Sequence, residues 1–258
     1  MSLAWSSVKA LSIPVGGVSR DVKRVTAGGV VLWEKAPAVP YDAEVEYLES
    51  TGTQYIDTGI YATLSTVFSL VFSPTNPATS NWVFGARSTT SDRFGLFFDP
   101  SSISIQVGSV VARPSASITA AKHALSLDRH TLILDGTSYA VGAGNAFTGA
   151  YPVFVCTLNN DGAAYGQCPM RLYACAIHDG STLVRDFISV RVGSGANAVG
   201  YLYDRANPTG GPLGNGLYPN SGTGAFVVGP DYGTSLSMSP FLELVETDLN
   251  PSDATATT

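Results

Sequence analysis

Residues 66–107 read TVFSLVFSPTNPATSNWVFGARSTTSDRFGLFFDPSSISIQV. Short runs rich in Val, Ile, Phe and Thr fill this stretch at 66–72 (TVFSLVF), 81–85 (NWVFG), 93–98 (RFGLFF) and 102–107 (SISIQV). Pro, Asn, Ser and Asp break them apart. β-branched and aromatic runs of this length, bounded by turn residues, read as strands. The pattern continues outward at 130–134 (HTLIL), 151–158 (YPVFVCTL) and 171–177 (RLYACAI), with turn signals at Asp135-Gly136, Asp161-Gly162 and Asp179-Gly180. Helical periodicity is nearly absent. The best helix candidate is 115–124 (SASITAAKHA), enough for a turn or one short helix. Many short strands at this spacing predict an all-β sandwich or barrel.

The chain has 258 residues, of which 13% are charged and 45% hydrophobic, with a formal net charge of −6. That is about half the usual charged fraction of ~25%, with apolar content enough for a core. A net negative chain argues against unaided binding to nucleic acid or anionic lipid, which need a basic face. No apolar run reaches the ~18 residues of a spanning helix, so membrane insertion is not expected. Residues 1–17 (MSLAWSSVKALSIPVGG) lack the basic and then apolar pattern of a secretory leader. Three cysteines, Cys156, Cys168 and Cys175, are too few for a disulfide framework. They are expected as buried thiols, with a Cys168–Cys175 bridge as the alternative.

A Pro/Ala stretch at 37–41 reads as an extended linker between an N-terminal β segment, 1–36, and a main domain, 42–246. Residues 247–258 read as a polar, acidic tail. The N-terminal segment is too small to bury a robust core alone. Trp33 and Leu32 are its candidate assembly residues, expected to be buried against the main domain, sister copies or another protein.

From residue 44 a series of phrases follows in order: 44–59 (EVEYLESTGTQYIDTG), 130–142 (HTLILDGTSYAVG), 154–162 (FVCTLNNDG), 171–190 (RLYACAIHDGSTLVRDFISV), 199–205 (VGYLYDR) and 222–229 (GTGAFVVG). Together they resemble the concanavalin A-like (LamG-like) jelly-roll modules of gut bacteria and their phages, over roughly residues 42–230. Residues 28–35 (GGVVLWEK) more loosely resemble short β segments of phage tail and other virion proteins. The resemblance implies a jelly-roll sandwich of two antiparallel sheets, with the small N-terminal β segment attached. Strict alternation along 171–177 would place Tyr173, Cys175 and Ile177 on one face, and Leu172, Ala174 and Ala176 on the other. Asp186 and Arg205 read as a structural ion pair or solvated charges.

No catalytic group stands out. Retaining glycosidases need two carboxylates ~5–5.5 Å apart. The nearest pattern, Asp42, Glu44 and Glu46, lies on the domain's first strand and reads as an acidic edge that discourages strand addition. There is no G-x-S-x-G elbow. His123, His130 and His178 read as surface groups near strand ends. Cys156, Cys168, Cys175 and His178 lack the paired short spacings of a zinc site. Gly193-Ser194-Gly195 has no following Lys and no helix to make a phosphate cradle. LamG-like modules often carry calcium on a loop rim, which makes Asp57, Asp99, Asp161 and Asp231 candidates; the other reading is turn residues capping their own backbone.

Glycan binding on this fold uses aromatic platforms with polar loop groups. Trp82, Tyr165, Tyr203, Tyr218 and Tyr232 lie near loop signals, and Tyr218 and Tyr232, in the Gly/Pro-rich stretch 207–233, are the candidate carbohydrate-binding residues. The expectation is a non-enzymatic phage or prophage virion protein of a tail, fibre or decoration. Its N-terminal segment docks on other virion proteins or sister copies, as a homo-oligomer, and its jelly roll faces outward toward host-surface glycan. The alternative is a bacterial cell-surface or secreted lectin-like adhesion module. A divergent glycoside hydrolase is the remote one.

Overall fold

A computed structural model describes residues 39–142 and 145–232, together with the backbone of strands between residues 12 and 34. The chain divides into two compact units, Met1–Val39 and Pro40–Thr258. The first contains β1 (Ser12–Val15), β2 (Val18–Asp21), β3 (Arg24–Ala27) and β4 (Val30–Glu34). β1 pairs with β2 and β3 with β4, both antiparallel. The side chains of Leu32 and Trp33, residues 37 and 38 of the linker and the acidic tail lie outside the described residues.

The second unit is all-β. Its strands begin with β5 (Ala43–Glu44), β6 (Leu48–Ser50), β7 (Ile56–Thr63), β8 (Thr66–Pro74), β9 (Asn81–Arg87), β10 (Arg93–Asp99), β11 (Ser102–Gly108) and β12 (Val110–Ala112). They continue with β13 (His123–Leu127), β14 (Thr131–Leu134), β15 (Thr137–Ala140), β16 (Thr148–Val155), β17 (Leu158–Asn160) and β18 (Ala163–Tyr165). The last are β19 (Met170–Asp179), β20 (Thr182–Val192), β21 (Val199–Asp204), β22 (Leu217–Tyr218) and β23 (Val227–Val228). They form two sheets, ordered β12-β11-β10-β9-β16-β7 and β15-β14-β13-β8-β19-β20-β21-β22, with β5, β6, β17, β18 and β23 attached off these paths. Pairing is antiparallel throughout both paths, and the β17–β9 contact and the isolated Trp82–Gln167 bridge are parallel. The expected two-sheet antiparallel sandwich is therefore what the chain forms.

The sandwich follows from period-2 burial. Along β8, Thr66, Phe68, Leu70 and Phe72 are buried while Val67, Ser69 and Val71 are only partly covered. One face of the strand is thus apolar and turns inward. Phe68 of this sheet stacks on Phe84 of the other, with ring centroids 4.1 Å apart. Around that pair, Phe94, Leu96, Phe98, Ile103 and Ile105 meet Leu70, Phe72, Leu172 and Ile177 in one core. The three cysteines sit in this core as free, buried thiols, with no bridge between Cys168 and Cys175. Desolvation raises all three thiols above their ordinary range.

Four local expectations need correction. Residues 115–124 form no helix: the segment is irregular until β13 begins at His123. A helix this short is marginal in water, and here Ile118 is buried in the core with Ala116 packed against it. Second, β19 does not alternate strictly. Its register against β8 shifts between Leu172 and Ala174, a β-bulge at Tyr173. The extra residue puts Leu172 into the core with Cys175 and Ile177, and leaves Tyr173 and Ala174 outside.

Third, the acidic first strand is not an edge. The Asp42 and Val45 N–H groups donate to Arg191 and Ser189 on one side, and the Glu46 N–H donates to Pro230 while Glu44 accepts from Tyr232 on the other. Asp42 accepts the Gly193 N–H, and Glu44 the Tyr41 hydroxyl. Fourth, His123 is not a surface group. It is buried, its Nδ1 lies 2.6 Å from Asp135 Oδ2, and its Nε2 receives the Thr119 N–H at 3.0 Å. This closes the irregular 119–123 loop onto β13. Asp186 and Arg205 do form the expected ion pair, at 2.9 and 3.1 Å.

Candidate functional site

An open cleft of about 410 Å³ lies where β7 of one sheet meets β20 and β22 of the other. Its volume falls within the ~300–1,000 Å³ of small-ligand sites. Asp57, Arg185 and Ser221 supply its polar groups, and Tyr218 its aromatic wall. The alternation of β7 explains why Asp57 reaches it. Ile56, Thr58 and Ala62 turn inward, and Asp57, Gly59, Tyr61 and Thr63 share the opposite face.

Arg185 is held rigidly. Its Nε donates to Thr58 O at 3.1 Å and its Nη1 to Val184 O at 2.7 Å. The same Nε stands 3.6 Å from Asp204 Oδ2. Asp204 is fully buried. Its Oδ1 accepts the N–H groups of Asp186 and Ala206, whereas Oδ2 has no hydrogen-bond partner and is balanced by the guanidinium alone. With Nε and Nη1 engaged, Nη2 is the nitrogen directed toward Gly59, where a side-chain carbon would lie 3.6 Å from it. Gly59, at φ +67°, leaves that approach open.

Asp57 lines the same cleft as Arg185. It accepts the Gly59 N–H at 2.8 Å, and its own N–H points to Ser221 Oγ at 3.4 Å. Burial raises its carboxyl above the ordinary value, and the Gly59 hydrogen bond offsets only part of the shift. The cleft thus offers both a guanidinium donor and a carboxylate acceptor, groups suited to sugar hydroxyls.

The two candidate tyrosines are not brought together. Tyr218 lines the cleft but is only 3% exposed, its ring edge-on to Phe187 at 4.7 Å. It is a wall rather than a free stacking face. The 208–216 loop lies against it so closely that a side-chain carbon at Gly211 would come within 2.7 Å of the ring. Tyr232 is 73% exposed and does not line the cleft. Trp82 and Tyr203 are buried, and Tyr165 is exposed elsewhere.

Of the calcium candidates, Asp99 accepts the N–H groups of Ser101 and Ser102 as a turn cap, and Asp231 pairs with Arg191 at 2.6 Å. Among the described residues no three His, Cys, Asp or Glu side chains gather as a metal site. Arg185 was missed from sequence. The available signal was an arginine and an aspartate inside otherwise apolar strands, LVRDF and VGYLYD, where charge is costly unless paired.

No protein-family profile matches the chain, and no curated protein sequence does. Among solved structures it is similar to the CBM40 of the IT-sialidase of Ruminococcus gnavus bound to α2,3 sialyllactose, at 11% identity and a TM-score of 0.41, over 52% of this chain and 90% of that one. It is also similar to a mutant of the NanB sialidase of Streptococcus pneumoniae, at 11% identity and a TM-score of 0.37, over 72% of this chain and 39% of that one. A third likeness, at 12% identity and a TM-score of 0.36, is to the leech intramolecular trans-sialidase, over 67% of this chain and 33% of that one.

Proposed function

We propose that the Pro40–Thr258 unit is a non-catalytic glycan-binding module and that the Asp57–Arg185 cleft is its sugar site. The observation that carries this reading is that a fixed guanidinium and a carboxylate line one open cleft between the sheets. A hydroxyl pair on a sugar donates to Asp57 and accepts from Arg185 Nη2, while Tyr218, Pro212 and Pro219 give the cleft apolar walls. The buried Asp204 holds Arg185 in place without touching the ligand. The same layout supports binding over two-carboxylate hydrolysis, which needs an acid and a base or nucleophile flanking one bond: Asp57 is the carboxylate among the residues that line the cleft.

The test is a glycan array probed with the full chain and with Asp57→Asn. Selective binding that drops at least ~tenfold in the variant supports the module. Binding that is absent, or identical in the variant, removes the cleft from the account.

The setting proposed for the module is a virion appendage, with the Met1–Val39 unit as its attachment element. This rests on the resemblance of 28–35 to virion β segments and on the division of the chain into two units. Deleting residues 1–36 should prevent incorporation into particles. Unchanged incorporation overturns the assignment and favours the cell-surface adhesion module.

A further inference from the structure

The Asp57–Arg185 cleft is not isolated. A second cavity, of about 170 Å³, shares Gly59 with it and is lined by Tyr61, Thr63, His178 and Val184. A third, of about 540 Å³, shares Thr63 with the second and continues past Ser65 to Arg129 and Phe147. The three therefore follow one another along the outward face of β7. From Asp57 to Thr63 that face runs at most ~20 Å, the length of a regular strand at ~3.3 Å per residue, because the register against β16 shifts here and Gly59 lies at φ +67°. β7 ends the strand order of its sheet, so no further strand of the path covers this flank.

The residues on the face differ in kind. Asp57 is an acceptor, Gly59 leaves a gap, Tyr61 presents a ring that is 54% exposed, and Thr63 is a hydroxyl. Tyr61 is the exposed aromatic at the centre of the row, where a pyranose can lay its C–H bonds on the ring face. The charges do not favour an acidic ligand. Arg185 is balanced by buried Asp204, and Asp57 adds a negative charge at that end. Further along, Asp179 accepts the Ser65 hydroxyl, and Arg129 is the cation of the far cavity.

We propose that the ligand is a linear, uncharged glycan chain lying along β7 across all three cavities, with one sugar ring on Tyr61, rather than a single terminal or acidic sugar. This rests on the glycan-binding reading of the cleft and specifies its substrate class. Recognition is then internal to a chain: Asp57 and Arg185 fix one unit, Tyr61, four residues along β7, carries a unit beyond its immediate neighbour, and Thr63 and Arg129 meet those further on.

The experiment is titration of the full chain with uncharged hexose oligosaccharides from disaccharide to hexasaccharide, alongside sialylated and uronic-acid oligosaccharides. A mixed pool of extended peptides is the control for strand addition to β7. The proposal expects affinity to rise at least ~tenfold with chain length. Tyr61→Ala, at an exposed position that leaves the core intact, should abolish that rise and spare disaccharide binding. Asp57→Asn should weaken every length alike. Length-independent, Asp57-dependent binding overturns the groove and leaves the cleft reading standing, as does a preference for acidic sugars. No binding to any saccharide overturns both, and protection of β7 amides by peptides alone reassigns the groove to a protein partner.

Discussion

The guanidinium of Arg185 lies 3.6 Å from the carboxylate of Asp204, and Asp204 has no exposed surface. The pair joins the fold to the site: one partner is locked in the second sheet, and the other reaches the cleft. Breaking a buried pair from one side leaves an uncompensated charge and costs about 3–5 kcal/mol. Arg185→Met should therefore lower the melting temperature sharply. Arg185→Met combined with Asp204→Asn, which removes the charge but keeps an Oδ1 acceptor for the Asp186 and Ala206 N–H groups, should recover most of the loss. Equal melting temperatures for the wild type and the single variant would show that the pair does not stabilise the fold.

The inter-sheet stack of Phe68 on Phe84 should be among the most sensitive core positions. Both rings are fully buried, 4.1 Å apart. Phe68→Ala removes a ring between two sheets that cannot close the gap, at a cost of about 3–5 kcal/mol. Denaturant unfolding measures this directly, and a loss below about 1 kcal/mol contradicts the packing described.

Asp92 makes one region acid-sensitive. Burial acts to raise its carboxyl, but hydrogen bonds from Ser88 and Thr89 outweigh it and bring the value down to about 2. A carboxyl lowered in the folded state stabilises above its unfolded value and loses that contribution as pH falls toward about 2. Asp92→Asn should melt earlier than the wild type at neutral pH, with the difference vanishing in strong acid. A difference that persists unchanged there contradicts the assignment.

Asp57 behaves in the opposite sense. Its raised carboxyl means that the fold favours the protonated form, a contribution present at low pH and lost as pH rises through the folded value. Asp57→Asn should thus leave neutral-pH stability unchanged or slightly higher. Ligand affinity should run the other way, because protonation removes the acceptor charge: binding weakens as pH falls through the same range. The variant should show a flat, weak profile. Parallel pH profiles for wild type and variant exclude Asp57 from the ligand.

The layers of the fold were legible because their signal is local. Runs such as TVFSLVF and RFGLFF became β8 and β10 with bounds shifted by a residue or two. What failed depends on partners distant in sequence. The bulge at Tyr173 exists only in register against β8. Glu44 leaves the edge only because Pro230–Tyr232 returns beside it, and His123 is drawn inward by Asp135. The site divides the same way. Tyr218 could be picked from its Gly/Pro-rich surroundings, whereas Arg185 and Tyr61 gain meaning only when β7 and β20 meet across the sandwich.

The central claim is that the Asp57–Arg185 cleft holds a sugar. The most direct measurement is calorimetric titration of the full chain, and of Asp57→Asn, with the best glycan from the array. The account predicts one site per chain and an affinity at least ~tenfold weaker in the variant, with its melting temperature preserved. Equal affinity for the two proteins, with heat released on each injection, would place the sugar elsewhere and contradict the claim.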